Sequence, residues 1–165
     1  MYTNSDYNQK LLQLFILLTD EKEITYESFN DYVSINPSTF SRLIKDYQQM
    51  IIKLNLKYTL TIVQVPNQKD EIYMPTKKYY QTAIIEDNSF KTDDLSEEDI
   101  YRYIYVIIYL MLKSGQYISY IKIKNRFGIN ITDTTFKTII DNIKQIVGFD
   151  VYKNELQSFV MDYDS

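Results

Sequence analysis

Four polar side chains recur at the spacing of one helical face. They are Ser38, Arg42, Lys45 and Gln49, separated by four, three and four residues. On a helix with Phe40 at the centre of its buried face, all four lie within roughly 40° of the outward direction. Arg can donate two hydrogen bonds to guanine, Gln can pair with adenine, and Ser and Lys can bind phosphate. This outer stripe, with the neighbouring Thr39 and Ser41, is the first candidate for contacts with double-stranded DNA. The alternative is an ordinary solvated helix face.

Most enzyme chemistry is excluded by residues that the chain lacks. It has no Cys and no His, which excludes thiol nucleophiles, His general bases, disulfides and Cys/His zinc sites. Its three Gly residues are scattered, so a glycine-rich phosphate loop cannot form. The acidic cluster at 93–99 lacks the spacing of a calcium loop, and we interpret it as helix capping and solvation. We therefore expect no catalytic residue, no metal site and no cofactor.

An internal repeat predicts the elements that position the outer stripe. Residues 11–18 and 105–112 are apolar segments that lie 94 positions apart, as do the triplets beginning at Ile24 and Ile118. After a slip of two residues, the triplets beginning at Ser38 and Thr134 match at an offset of 96. The order of these matches, with one slip in a loop, indicates two copies of one structural unit.

Each copy is predicted to form three helices followed by a pair of strands. In the first copy the helices lie at 9–19, at 26–33 and after the cap Asn36 and Pro37, and the strands at 58–65 and 71–74. In the second copy the helices lie at 95–113, 121–127 and 133–147, with a short strand at 117–120 and hairpin strands at 149–152 and 158–161. The predicted class is mainly α with small β-hairpins (α+β), with domains at 1–75 and 95–165 and a polar, acidic connector at 76–94.

This order of elements resembles a winged helix-turn-helix, and two copies resemble a tandem winged helix-turn-helix protein. Residues 24–56 (ITYESFNDYVSINPSTFSRLIKDYQQMIIKLNL) resemble the DNA-binding domain of DeoR-type bacterial regulators. The resemblance covers residues 9–75 and, more weakly, 100–161. It implies that the third helix of the first copy enters the major groove and that the strand pair contacts DNA backbone or minor groove. The tip Asn67-Gln68-Lys69 then makes Lys69 a candidate phosphate contact.

The second copy differs from the first at the corresponding positions. Its outer stripe contains no cation and consists of Thr134, Thr138, Asp141 and Gln145. Three cations, Lys122, Lys124 and Arg126, precede it and are candidate backbone contacts, with a solvated helix as the alternative. We therefore expect the first copy to read bases and the second to contact phosphate or bind protein.

An aromatic helix begins the second copy. It contains Tyr101, Tyr103, Tyr105 and Tyr109 among apolar residues. We expect Tyr101, Tyr105 and Tyr109 to form a dimer or partner interface, because Tyr combines a large contact area with a polar tip. The alternative is packing against the first copy.

The charge is unevenly distributed along the chain. The net charge is −4, and residues 84–99 contain seven acidic side chains against one Lys. The flanking regions are neutral or weakly basic, which permits a weakly basic face. We see no targeting segment and no membrane span, and we expect a cytoplasmic protein without a membrane partner.

Three functions remain open from the sequence. The first is a sequence-specific DNA-binding transcriptional regulator, acting as a homodimer. The second is a non-catalytic protein-interaction module, similar to the tandem winged-helix subunits of chromosome-condensation complexes. The third is an inhibitor of a DNA-binding protein, with the acidic connector as a phosphate mimic.

Overall fold

The structure, a computed structural model, describes residues 5–21, 23–56, 58–66, 76–84, 90–148, 150–153 and 159–162. Within these ranges the chain forms six helices and five strands. The helices are α1 (Ser5–Glu21), α2 (Tyr26–Tyr32), α3 (Pro37–Lys53), α4 (Glu97–Lys113), α5 (Tyr120–Phe127) and α6 (Asp133–Val147). The strands are β1 (Glu23–Thr25), β2 (Tyr58–Pro66), β3 (Thr76–Ile84), β4 (Asp150–Lys153) and β5 (Phe159–Asp162). Most described residues are helical, which confirms the predicted mainly α class.

The chain divides into two compact units. The central unit is Gln13–Asp94, and the terminal unit combines Met1–Leu12 with Leu95–Ser165. The division falls inside α1, so that the first turns of this helix belong with the C-terminal part of the chain. This arrangement differs from the predicted domain at 1–75, which contained the whole of α1.

The central unit contains a three-stranded antiparallel sheet in the order β1-β3-β2. Along β3, Tyr80 pairs with both Ile24 and Ile62, and Thr76 pairs with Pro66. The sheet corrects the sequence prediction, because residues 76–84 form the middle strand and are not a connector. β2 pairs along the whole length of β3 and β1 pairs with residues 79–81, so backbone hydrogen bonds stabilise β3 without a clear apolar alternation. The predicted return strand at 71–74 lies outside the described residues.

The core of the central unit is built from the second half of α1 together with α2 and α3. Phe15 of α1 lies 6.3 Å from the ring of Tyr47 on α3. Phe29 is the buried residue of α2, and Phe40 and Leu43 are buried on α3. Phe40, Leu43 and Tyr47 repeat at helical spacing on α3. One face of that helix therefore points inward and the opposite face points outward.

The terminal unit contains α4, α5, α6 and the β4–β5 pair. The Ser96 hydroxyl accepts a hydrogen bond from the Asp99 backbone N–H at 3.1 Å and begins α4. Almost all of α4 is buried, and it packs against α6 and β5. Gly128 and Gly148 end α5 and α6 in left-handed conformations, with φ of 62° and 71°, which favour glycine over residues with a Cβ.

Element boundaries agree with the predictions to differing degrees. The predicted bounds of α6 are confirmed, whereas α1 extends beyond 9–19 at both ends. The predicted strand at 117–120 is wrong at its end, because Ser119 is the N-cap of α5 and Tyr120 begins that helix. In the described part of the chain, no helix is both long enough and apolar enough to span a membrane.

Candidate nucleic-acid interface

The first turn of α3 is fixed by its N-cap. The Asn36 side-chain oxygen accepts a hydrogen bond from the Thr39 backbone N–H at 2.8 Å, and Pro37 occupies the first helical turn, where its missing N–H has no helical partner to lose. The Ser38 hydroxyl donates to the same Asn36 oxygen at 2.8 Å. Ser38 therefore contributes to the cap as well as to the outer stripe.

Contacts from α2 and the following turn hold α3 in place. The Tyr26 hydroxyl donates to the Ile35 carbonyl at 2.7 Å, and the Asn30 side-chain oxygen accepts from the Ile35 backbone N–H at 3.0 Å. The Phe40 ring lies 5.4 Å from the ring of Tyr26 and 5.6 Å from that of Phe29. Hydrogen bonds and ring packing thus fix the turn and α3 relative to α2.

The outer face of α3 is exposed along its length. Ser38, Ser41, Arg42, Lys45 and Gln49 are exposed, and Thr39 is half-buried at the side. The structure therefore places five of the six predicted α3 contacts on one open face. Sequence reasoning did not include Ile52 in this face, although Ile52 is 77% exposed. Its spacing of seven residues from Lys45 could have identified it, but its apolar type suggested the core.

The charge on this face is positive. Arg42, Lys45 and Lys53 are exposed, and the one acidic residue of α3, Asp46, is half-buried. Guanidinium, ammonium, hydroxyl and amide groups on one open helix face can hydrogen-bond to phosphate oxygens and to base edges. An α-helix with its side chains is roughly 10–12 Å wide, which matches a major groove of about 12 Å.

One predicted phosphate contact, Lys69, belongs to the strand pair that follows α3. Lys69, at the predicted tip of the strand pair, lies outside the described residues. The described parts of that pair, β2 and β3, are each nine residues long. β2 is thus one residue longer than the strand predicted at 58–65, and its partner β3 is longer than the four-residue return strand predicted at 71–74.

The cations of α5 contact neighbours in the terminal unit. The exposed Lys122 donates a hydrogen bond from Nζ to the Tyr117 carbonyl at 2.8 Å. Lys124 is half-buried, with Nζ 5.7 Å from the centroid of the Tyr120 ring. The Arg126 guanidinium lies 5.3 Å from the ring of the following residue. Each of these three cations therefore makes a local contact within the terminal unit.

The outer face of α6 has a different chemistry from that of α3. Thr134, Thr138, Asp141 and Gln145 are all exposed, as the helical spacing predicts. The nearest cation on the first turns, Lys137, forms an ion pair with Asp133 at 3.0 Å. The stripe itself presents hydroxyls, an amide and a carboxylate, and a carboxylate repels phosphate.

The side chains of Tyr101, Tyr105 and Tyr109, which the sequence assigned to a dimer or partner interface, are buried. These side chains are only 8%, 2% and 6% exposed in the single chain. The Tyr101 hydroxyl accepts from the Asn130 backbone N–H at 3.1 Å, and the Tyr105 hydroxyl accepts from the Asn142 side-chain amide at 3.0 Å. Burial of these rings in the single chain favours internal packing of the aromatic helix over an interface with a partner.

Neither metal ligands among the described residues nor similarity to known proteins indicates a function for this face. Among the described residues, no three acidic side chains are grouped so that they could hold a metal ion. Comparison of the chain with models of protein families, with curated proteins and with solved structures found no match.

Proposed function

We propose that the protein is a sequence-specific DNA-binding transcriptional regulator made of two winged helix-turn-helix domains in tandem. Both halves have the element order of that fold, namely three helices followed by two antiparallel strands. The first set is α1, α2, α3, β2 and β3, and the second is α4, α5, α6, β4 and β5. The proposed reading helix is α3, and the observation that carries the proposal is the exposed, positive outer face of that helix.

The roles of individual side chains follow from their chemistry. Arg42 is proposed to donate two hydrogen bonds to a guanine and Gln49 to pair with an adenine. Ser41 and Lys45 are proposed to bind phosphates beside the groove. Few cations take part, so the salt dependence is shallow, with log K falling by about 0.9 per phosphate contact against log salt.

A homodimer on a two-fold site is part of the proposal. Helix-turn-helix proteins commonly read two half-sites whose centres are about 34–36 Å apart. The Tyr side chains of α4 are buried and leave the dimer contact unassigned. The symmetry of the bound DNA is therefore the first test of the homodimer.

The decisive experiment is selection from random duplex DNA by the purified full chain. We expect an enriched motif, and a palindrome within it would support the homodimer. Arg42→Ala should then weaken binding to that motif by about 1–3 kcal/mol and relax the preference at one base pair. The matched control is Thr138→Ala, at the equivalent position of α6, which should bind as the parent does.

Three results would contradict this proposal. Folded protein that enriches no sequence would exclude sequence-specific reading. Unchanged affinity and preference in Arg42→Ala, with a motif in hand, would exclude α3 as the reading helix. Equal losses in Arg42→Ala and Thr138→Ala would contradict the unequal roles of the two copies.

A second function, protein interaction, is favoured by one exposed patch of the terminal unit. Tyr117, in the loop before α5, is 54% exposed, and Ile121, in the first turn of α5, is 57% exposed. Exposed aromatic and branched apolar side chains are typical of protein contacts. A photo-crosslinking group at Tyr117 should then capture a protein in cells, whereas the same group at Lys137 should not. Equal capture from both positions would contradict this function.

A further inference from the structure

The terminal unit contains a cavity of about 570 Å³. Its walls come from the first turns of α1, α4 and α6, with the loop that precedes α6. Small-molecule sites usually have volumes of about 300–1,000 Å³. The cavity is therefore large enough for a ligand of drug-like size.

The described residues that line the cavity are mainly apolar, with hydrogen-bonding groups and no Lys or Arg among them. Ile104, Ile131 and Ile139 contribute aliphatic surface, and the rings of Tyr101 and Tyr105 contribute aromatic surface. Their polar groups are Ser, Thr and Asn side chains with one carboxylate, that of the exposed Glu97. Among these described residues, an anionic ligand would find no side chain of opposite charge.

Hydrogen bonds within the unit hold the lining in place. The Asn8 side-chain amide donates to the Tyr101 carbonyl at 3.1 Å, in a buried position. The Tyr105 hydroxyl lies 3.0 Å from the Ser5 hydroxyl. The Thr132 hydroxyl donates to the Thr135 hydroxyl at 2.9 Å, so that the Thr135 proton can be donated to another acceptor. The cavity is thus preformed, which lowers the ordering cost of binding.

The cavity reaches the N-terminal part of the face of α6 that corresponds to the outer face of α3. Thr134 and Thr138 are the counterparts of Ser38 and Arg42 in the repeat, and both line the cavity together with Ser5 and Asn8. We propose that this cavity binds an uncharged, largely apolar small molecule through hydrogen bonds to its hydroxyl and amide groups. The proposal goes beyond DNA binding and does not depend on it.

The test uses prodan, an uncharged naphthalene with a ketone oxygen, whose fluorescence emission moves to shorter wavelength in apolar surroundings. Titration into the full chain without DNA should give saturable binding with one site. Thr138→Phe and Thr134→Phe place a ring in the cavity from an exposed helix face and should each weaken binding at least about tenfold, or about 1.4 kcal/mol. Gln145→Phe, exposed on the same helix outside the lining, should bind within about twofold of the parent.

The outcomes separate this proposal from its alternatives. Absence of saturable prodan binding by folded protein would overturn it, as would equal binding by the parent and both Thr→Phe variants. A sulfonated, anionic naphthalene of similar size should bind at least about tenfold more weakly than prodan. Equal affinity for the two dyes would indicate a non-specific apolar surface and would also overturn the proposal. Because no DNA is present, these results are independent of the selection experiment.

Discussion

Tyr105→Phe is the substitution that most directly tests whether the aromatic helix is internal. The Tyr105 side chain is 2% exposed, and its hydroxyl is bonded to both the Asn142 amide and the Ser5 hydroxyl at 3.0 Å. A typical hydrogen bond contributes about 0.5–1.5 kcal/mol to stability. Ser5 is exposed and Asn142 half-buried, so water can replace part of the loss. We expect the free energy of unfolding to fall by about 1–2 kcal/mol.

The measurement is urea unfolding of the full chain, followed by far-ultraviolet circular dichroism. The midpoint should fall while the slope stays unchanged, since Phe retains the packing of the ring. Tyr117→Phe is the matched control, because that ring is 54% exposed, and it should change stability by less than about 0.5 kcal/mol.

A double-mutant cycle with Asn142→Ala assigns the effect to the hydrogen bond. Residues bonded to each other should be non-additive by about 0.5–1.5 kcal/mol. Strict additivity would refute the assigned bond. Unchanged stability of Tyr105→Phe, together with weakened self-association in sedimentation, would refute the internal placement and restore the interface expected from the sequence.

Three further substitutions test α3. Asn36→Ala removes the acceptor of the Thr39 N–H and should cost about 1 kcal/mol in urea unfolding, whereas Asn36→Asp should retain stability; equal losses would contradict the cap. Phe40→Ala should cost about 3–5 kcal/mol in the same assay because the ring is buried, and Ile52→Ala, at an exposed position, should cost less than about 0.5 kcal/mol. Lys45→Ala should lower the slope of log K against log salt by about 0.9 for the selected DNA, and Lys45→Arg should restore it; an unchanged slope in Lys45→Ala would exclude a phosphate contact.

Local signals made α6 predictable. A buried stripe at helical spacing that begins at Phe136 indicated its bounds, and the structure adds the N-cap Thr132 and the left-handed Gly148 at its ends. The outer faces of α3 and α6 were predictable for the same reason, because a helical period fixes both faces of a helix at once.

Non-local pairing explains what the sequence did not predict. Strand β3 (Thr76–Ile84) has the sequence TKKYYQTAI, with polar residues and no clear alternation, and its stability comes from pairing with β1 and β2. The environment of Tyr105 also depends on non-local contacts, because its hydrogen-bond partner Ser5 is 100 residues away in the sequence. Which helix covers an apolar helix depends on the tertiary arrangement, and hydrophobicity alone could not distinguish an internal helix from an interface.

The two copies have kept their cores and changed their outer faces, and this contrast argues for different roles. Equivalent positions of α3 and α6 have residues of the same type. They are the caps Asn36 and Thr132 and three buried pairs: Phe40 and Phe136, Leu43 and Ile139, and Ile44 and Ile140. Outside the core, Arg42 corresponds to Thr138 and Lys45 to Asp141. Packing requires the caps and the buried residues in any helix of this shape, whereas nothing in the fold requires these particular residues on the outer face. The exposed cations of α3 fit the proposed binding of a phosphate-bearing polymer, while the hydroxyls of α6, beside a cavity whose described lining has no Lys or Arg, fit the proposed small uncharged ligand. The divergence is therefore best explained by a change of ligand on one face of a shared scaffold.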